Sequence, residues 1–117
     1  MISMKTNLKL LAKELDLTCL AGEAFLERTI DGAYVSDLLS DVMGKANAGM
    51  IWITSQVHRN IVAVSSLKEL SAIIVVNERP VEPEVLAQAE EEEVVVFTSG
   101  QSAFDTAGLL YSYLKRN

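Results

Sequence analysis

Apolar positions along the chain follow a helical period in some stretches and form short unbroken runs in others. Near the N-terminus Leu8, Leu11, Ala12 and Leu15 recur at helical spacing, which predicts a helix over residues 5–15 capped by Thr6 or Asn7. Leu17-Thr18-Cys19-Leu20 is a short strand candidate that stops at Gly22. Residues 23–32 carry no clear period, and Asp31-Gly32 signals a turn. Ala33-Tyr34-Val35 is a second strand candidate. Ser36 or Asp37 then caps a short helix with an apolar face of Leu38, Leu39, Val42 and Met43, and Gly44 is placed to end it. Met50–Ile53 predicts a third strand, Ile61, Val64, Leu67 and Leu70 the next helix, and Ala72–Val76 a fourth strand. Pro83 suits the first turn of another helix, continued by Val85, Leu86 and Ala89. Val94–Phe97 predicts a fifth strand. The last helix starts near Ser102, with Asp105 completing a variant capping pattern and Phe104, Ala107, Tyr111 and Leu114 as its buried stripe.

Three of these strands are continuous apolar runs, as expected of strands covered on both faces. Ile51 lies 22 residues before Ile73, and Ile73 lies 21 before Val94, with one helix in each interval. That beat is the mark of successive right-handed βα units in a parallel sheet. The expected fold is therefore an α/β class, three-layer α/β/α sandwich with a mostly parallel sheet of about five strands. At 117 residues, half of them hydrophobic and 22% charged, the chain reads as one globular domain spanning residues 1–117.

In such a fold the loops after the strands share one edge, where ligands usually sit. Ser36 and Asp37 follow the second strand. Thr54, Ser55, Gln56, His58, Arg59 and Asn60 follow the third. Asn77, Glu78 and Arg79 follow the fourth, and Thr98, Ser99, Gly100, Gln101 and Ser102 the fifth. The simplest account of these polar stretches is that the chain turns at the surface, with Asn60 or Ser55 capping the helix that begins there. A ligand account adds helix N-termini near residues 60 and 102, which favour phosphate or carboxylate, and Arg59 and Arg79 as charge-assisted donors. The candidate ligand-binding set is Ser36, Asp37, Thr54, Gln56, His58, Arg59, Asn60, Asn77, Arg79, Thr98, Ser99, Gln101 and Ser102, for a small anionic metabolite or nucleotide.

Charge and composition narrow the classes. A formal net charge of −6 and ten scattered basic residues give no stripe for a nucleic-acid backbone. One cysteine, Cys19, precludes an intrachain disulfide, and one Cys with one His cannot build a zinc site without carboxylates. Cys19 reads as a small buried hydrophobe and Trp52 as core or subunit contact. The N-terminal stretch has no signal-peptide pattern and no apolar run is long enough for a membrane span, so a cytoplasmic protein without a membrane partner is expected. Asp37 and Asp41 lie one helical turn apart, but capping and solvation explain them without a metal. Glu90–Glu93 reads as a solvated helix end. The sole histidine, His58, has no obvious nucleophile partner, so proton transfer is the least favoured of its roles. Around Gly44-Lys45, Leu39 and Ala46 stand where a P-loop needs Gly and Ser/Thr, and no GxSxG, GxGxxG or HExxH occurs. No catalytic residue, metal or cofactor is expected.

The stretches "YVSDLLSDVMGKANAGMIWIT", "HRNIVAVSSLKELSAIIVVN" and "SAFDTAGLLY" resemble the DRTGG domain over roughly residues 8–111. Glu27-Arg28-Thr29-Ile30-Asp31-Gly32 is similar to a degenerate form of the motif that names the family, with Arg28 and Gly32 the best matches. The Ser36-Asp37-Leu38-Leu39 and His58-x-Asn60 stretches resemble its short, stand-alone form. Related modules form the N-terminal domain of HPr kinase/phosphorylase, precede the catalytic domain of some phosphotransacetylases and accompany CBS domains. The resemblance implies an α/β/α regulatory domain; a kinase label would be inherited only by association with a separate P-loop domain. The leading expectation is thus a non-catalytic sensor, expected to be a homo-oligomer, acting through a protein partner or a self-association surface. The alternative is a homodimeric interaction protein with no ligand of its own, associated with a redox enzyme such as an iron-only hydrogenase. A small phosphotransfer enzyme using His58 ranks last.

Overall fold

A computed structural model describes residues 6–117; Lys5, the first residue of the expected N-terminal helix, and the stretch before it lie outside that range. Five strands, β1 (Thr18–Ala21), β2 (Ala33–Val35), β3 (Ile51–Thr54), β4 (Ala72–Val75) and β5 (Val96–Thr98), form one sheet in the order β1-β5-β4-β3-β2. β2 to β5 run parallel and β1 pairs antiparallel with β5. The helices are α1 (Leu8–Glu14), α2 (Leu39–Lys45), α3 (Asn60–Lys68), α4 (Pro83–Glu91) and α5 (Ala103–Arg116). The expected three-layer sandwich is the observed one.

From β2 to β5 each strand is laid beside the last in one direction, so right-handed crossovers put α2, α3 and α4 on one face. Alternation along the strands divides the core accordingly. Trp52, Ile73, Val75 and Val96 face α2, α3 and α4, whereas Ile51, Ile53, Ile74 and Phe97 face α1 and α5. Large apolar side chains fill both halves: Trp52, Phe97, Ile51, Ile53, Ile73 and Ile74 are fully buried.

Local chemistry sets the element ends, not always as the pattern predicts. Of the two candidates before α1, Asn7 is the cap, accepting from the Leu10 N–H at 2.9 Å. Ser102 caps α5 by accepting from the Asp105 N–H at 3.1 Å, which satisfies one of the four free donors at a helix start. Neither Ser36 nor Asp37 caps α2; Leu38 holds that position without a side-chain bond. Gly44 does not end α2, which continues through Lys45. Neither Asn60 nor Ser55 caps α3. Instead His58 Nδ1 accepts from the Asn60 N–H at 3.1 Å. Leu67, expected on the buried face of α3, is 73% exposed.

The largest departure is on α5. Its buried residues are Thr106, Leu110 and Tyr113, while Phe104 and Tyr111 of the expected core stripe are 86% and 66% exposed. No helix of the described residues is long and apolar enough to cross a membrane.

Candidate functional site

The loops after β2, β3, β4 and β5 do meet along one edge, and their polar groups bind one another there. Asp37 leaves β2 and turns toward β3. Its carboxylate accepts from the Thr54 hydroxyl at 2.8 Å, the Ser55 N–H at 2.7 Å and the Ser55 hydroxyl at 2.9 Å. Three donors favour the charged form, so the Asp37 carboxyl titrates below its ordinary range, chiefly through the Ser55 N–H, with Thr54, Ser55 and Arg79 assisting. Gln56 donates its side-chain amide to the Asp37 carbonyl at 3.0 Å. Ser36 serves the same corner, its carbonyl accepting from the Trp52 indole at 2.8 Å.

The β4 loop joins its neighbours on both sides. Arg79 Nη1 donates to the Ser55 carbonyl at 2.6 Å, toward β3. On the other side the Asn77 N–H donates to the Gln101 carbonyl and the Glu78 N–H to the Ser99 carbonyl. Asn77 and Glu78 both have positive φ, at 63° and 54°, which turns the chain sharply enough to aim both amides at the β5 loop. The Ser99 hydroxyl is buried against Thr106 at 3.2 Å, and Thr98 closes the last strand.

The candidate residues therefore fall into two groups. Ser36, Asp37, Thr54, Gln56 and Arg79 are engaged in bonds between neighbouring strands and their loops, Thr98 lies in β5, the Ser99 hydroxyl bonds Thr106 of α5, and Ser102 is engaged as a cap. His58, Arg59, Asn60, Asn77 and Gln101 are exposed along the rim, and so is Arg79. Because Nδ1 of His58 accepts, its proton belongs on Nε2, on the far side of the ring. The expected sharing of one edge by every strand holds for the four parallel strands only. β1 is antiparallel, so its exit at Gly22 lies at the opposite edge.

Arg28 and Gly32 lie away from this rim. Arg28 donates to the Ser71 and Glu93 carbonyls, at 3.4 and 2.6 Å, and its guanidinium lies 4.9 Å from the Phe25 ring centroid. Gly32, at φ 106°, makes the turn into β2. Asp41 is not simply solvated but accepts from the Tyr34 hydroxyl at 2.8 Å, and Glu90, within the acidic run, accepts from the Gly22 N–H at 2.7 Å. Cys19 is half-buried, and burial pushes its thiol pKa up, which opposes thiolate chemistry. Among the described residues no group of three or more His, Cys, Asp or Glu is arranged to hold a metal ion.

Two depressions lie elsewhere. A cavity of about 450 Å³ beside Arg28 and Ser71 includes Ser65, whose buried hydroxyl has no hydrogen-bond partner. A larger groove of about 790 Å³ runs between α5 and β2, walled by Ala33, Val35, Ile53, Phe104, Gly108 and Tyr111 among others. Reading the stripe of α5 as core hid this groove; the available signal was that α5 carries apolar residues on two adjoining faces.

No family model matches the sequence, and no curated protein matches it. The fold is similar to the crystal structure of the CBS and DRTGG domains of the regulatory region of Clostridium perfringens pyrophosphatase, complexed with activator, diadenosine tetraphosphate. The TM-score is 0.73 at 18% identity, over 90% of this chain and 46% of that one. The chain thus spans about half the length of the structure it matches, and at this identity the likeness is one of fold.

Proposed function

We propose that this chain is a non-catalytic regulatory domain of the DRTGG type. In this reading it binds a small anionic metabolite or nucleotide at the C-terminal edge of the parallel strands and acts through a protein partner. The observation that carries the reading is the fold likeness across nine-tenths of the chain to a regulatory region that was crystallised with a nucleotide activator. The rim supports it. Arg59 and Arg79 are exposed on successive loops, and the bonded layer beneath them, Asp37 to Thr54 and Ser55 and Glu78 to Ser99, holds those loops together. Cations presented on a rigid layer favour a phosphate-bearing ligand at low entropic cost. Residues 6–117 then act as one ligand-responsive module.

Thermal unfolding with a panel of nucleotides, diadenosine tetraphosphate included, tests this. A ligand at 100 times its dissociation constant stabilises the folded state by about 2.7 kcal/mol, a rise in midpoint on the order of 10 °C for a domain of this size. Arg59→Ala and Arg79→Ala should abolish the rise for one compound class; Arg59→Ala should leave the ligand-free midpoint within about 2 °C, and Arg79→Ala, which also loses the bond to the Ser55 carbonyl, should lower it by no more than about 5 °C. A panel with no rise, or a rise that both variants retain, contradicts the reading.

A further inference from the structure

The connection from β1 to β2, residues 22–32, crosses the edge of the sheet opposite the loop rim, where β3, β4 and β5 begin. Hydrogen bonds tie it to each of them in turn. Arg28 donates to the Glu93 carbonyl ahead of β5 and to the Ser71 carbonyl ahead of β4. The Ser71 hydroxyl donates to the Thr29 carbonyl, and the Asp31 N–H donates to the Gly49 carbonyl ahead of β3. Between this strap and the ends of α3 and α4 lies the cavity of about 450 Å³. Small-molecule sites occupy about 300–1,000 Å³, so the volume is sufficient for one.

Both signs of charge meet in the cavity wall, whose charged residues are Arg28, Glu69, Glu92 and Glu93. Arg28 is partly buried, and among the described residues no carboxylate comes within ion-pair distance of it. Burial pushes its pKa down and the Glu93 charge opposes that shift, so the guanidinium is a cation short of counter-charge. The Ser71 and Glu93 carbonyls take one N–H each from Nη1 and Nη2, and a guanidinium has five. The rest can hold a carboxylate in the two-pronged geometry that arginine favours. The negative side is built from Glu69 and Glu93. The C-terminal ends of α3 and α4, at Lys68 and Glu91, add their partial negative charge. Glu92 is taken up by the Gln88 amide at 2.9 Å, whereas the Glu69 and Glu93 carboxylates have no hydrogen bond among the described residues. That side suits an ammonium group. Ser65 belongs to the same wall; it is 2% exposed, and its hydroxyl has no partner among the described residues. An unmet hydrogen bond of this kind is what a polar occupant, or a water held with it, satisfies.

An anion alone would face the glutamates and two helix ends, and a cation alone would face Arg28. A molecule carrying both charges close together meets neither objection. We infer that this cavity is a site for a free α-amino acid, its carboxylate on Arg28 and its ammonium group on Glu69 and Glu93 at the ends of α3 and α4. The site lies at the edge of the sheet opposite Arg59 and Arg79, so the inference stands apart from the nucleotide reading.

Titration calorimetry of the full chain with each standard amino acid tests it. At least one should bind saturably. The matching amine, which lacks the carboxylate, and the matching acid, which lacks the ammonium group, should each bind about tenfold more weakly or worse. Arg28→Gln should abolish binding. Because Arg28 also anchors the strap, Glu69→Gln is the second variant: it neutralises one exposed side chain at constant size. It should weaken binding about fivefold or more with unchanged far-ultraviolet circular dichroism. No saturable binding by any amino acid overturns the inference. So does an acid or amine that binds as tightly as the amino acid, and so does an affinity that Glu69→Gln leaves unchanged.

Discussion

At the residue scale, Gly22 and Asp37 show how single positions decide the two edges of the sheet. Gly22 has φ 81°, and a Cβ there would fall 2.7 Å from both the Val94 carbonyl oxygen and the Val95 Cα. Those are backbone atoms that cannot swing aside, and the left-handed conformation adds its own penalty. Gly22→Ala is therefore expected to lower stability by about 2 kcal/mol or more, read as a fall in the urea midpoint at unchanged slope. Asp37 acts through charge. Its folded-state pKa is depressed, so its contribution is present above the ordinary carboxylate range and is lost as pH falls through the folded value. Asp37→Asn should cost on the order of 1 kcal/mol at neutral pH, held low by the exposure of the site. The gap between wild type and variant should close as pH drops below about 4. A gap that widens in acid would place the stabilisation elsewhere. The sequence named Asp37 as a polar residue after a strand but offered two uses for it. Its partners, Thr54 at the end of β3 and Ser55 just after it, are 17 and 18 residues away, and only the pairing of β2 with β3 brings them within reach.

At the element scale, strands were legible and helix faces less so. The apolar runs around Trp52, Ile73 and Phe97 mark strands buried on both sides, and the even spacing between them marks parallel crossovers. The residues of β1 do not state its direction, because antiparallel pairing with β5 is a long-range contact between opposite ends of the chain. α5 is the instructive failure. Periodicity counts apolar residues without knowing which of two adjoining faces has a neighbour. Leu110 and Tyr113 took the core, and Phe104 and Tyr111 were left outside. The division is measurable. Leu110→Ala should cost about 2–5 kcal/mol by opening a cavity under α5. Phe104→Ser should cost less than about 0.5 kcal/mol. Equal losses from the two would show that the assigned core face of α5 is wrong.

At the scale of the whole molecule, the order of strands explains what the loop edge is. In doubly wound sheets the strand order reverses, and the reversal opens a crevice for ligand. Here β2 to β5 are laid down in one direction, and no reversal occurs among them. The loops meet side by side and close over one another, which makes a rim with exposed cations rather than a deep pocket. The sequence showed which residues belong to that rim. It did not show which of them would be taken up by neighbouring loops, because that depends on strand order. The measurement that tests the account most directly is an amide chemical-shift titration of the labelled chain with diadenosine tetraphosphate and simpler nucleotides. The account predicts saturable shifts at Ser55–Asn60, Asn77–Arg79 and Ser99–Ser102, with the amides around Arg28 at the opposite edge unmoved. Shifts confined to the α5 groove, or none at any nucleotide concentration, would contradict a ligand site at the strand ends.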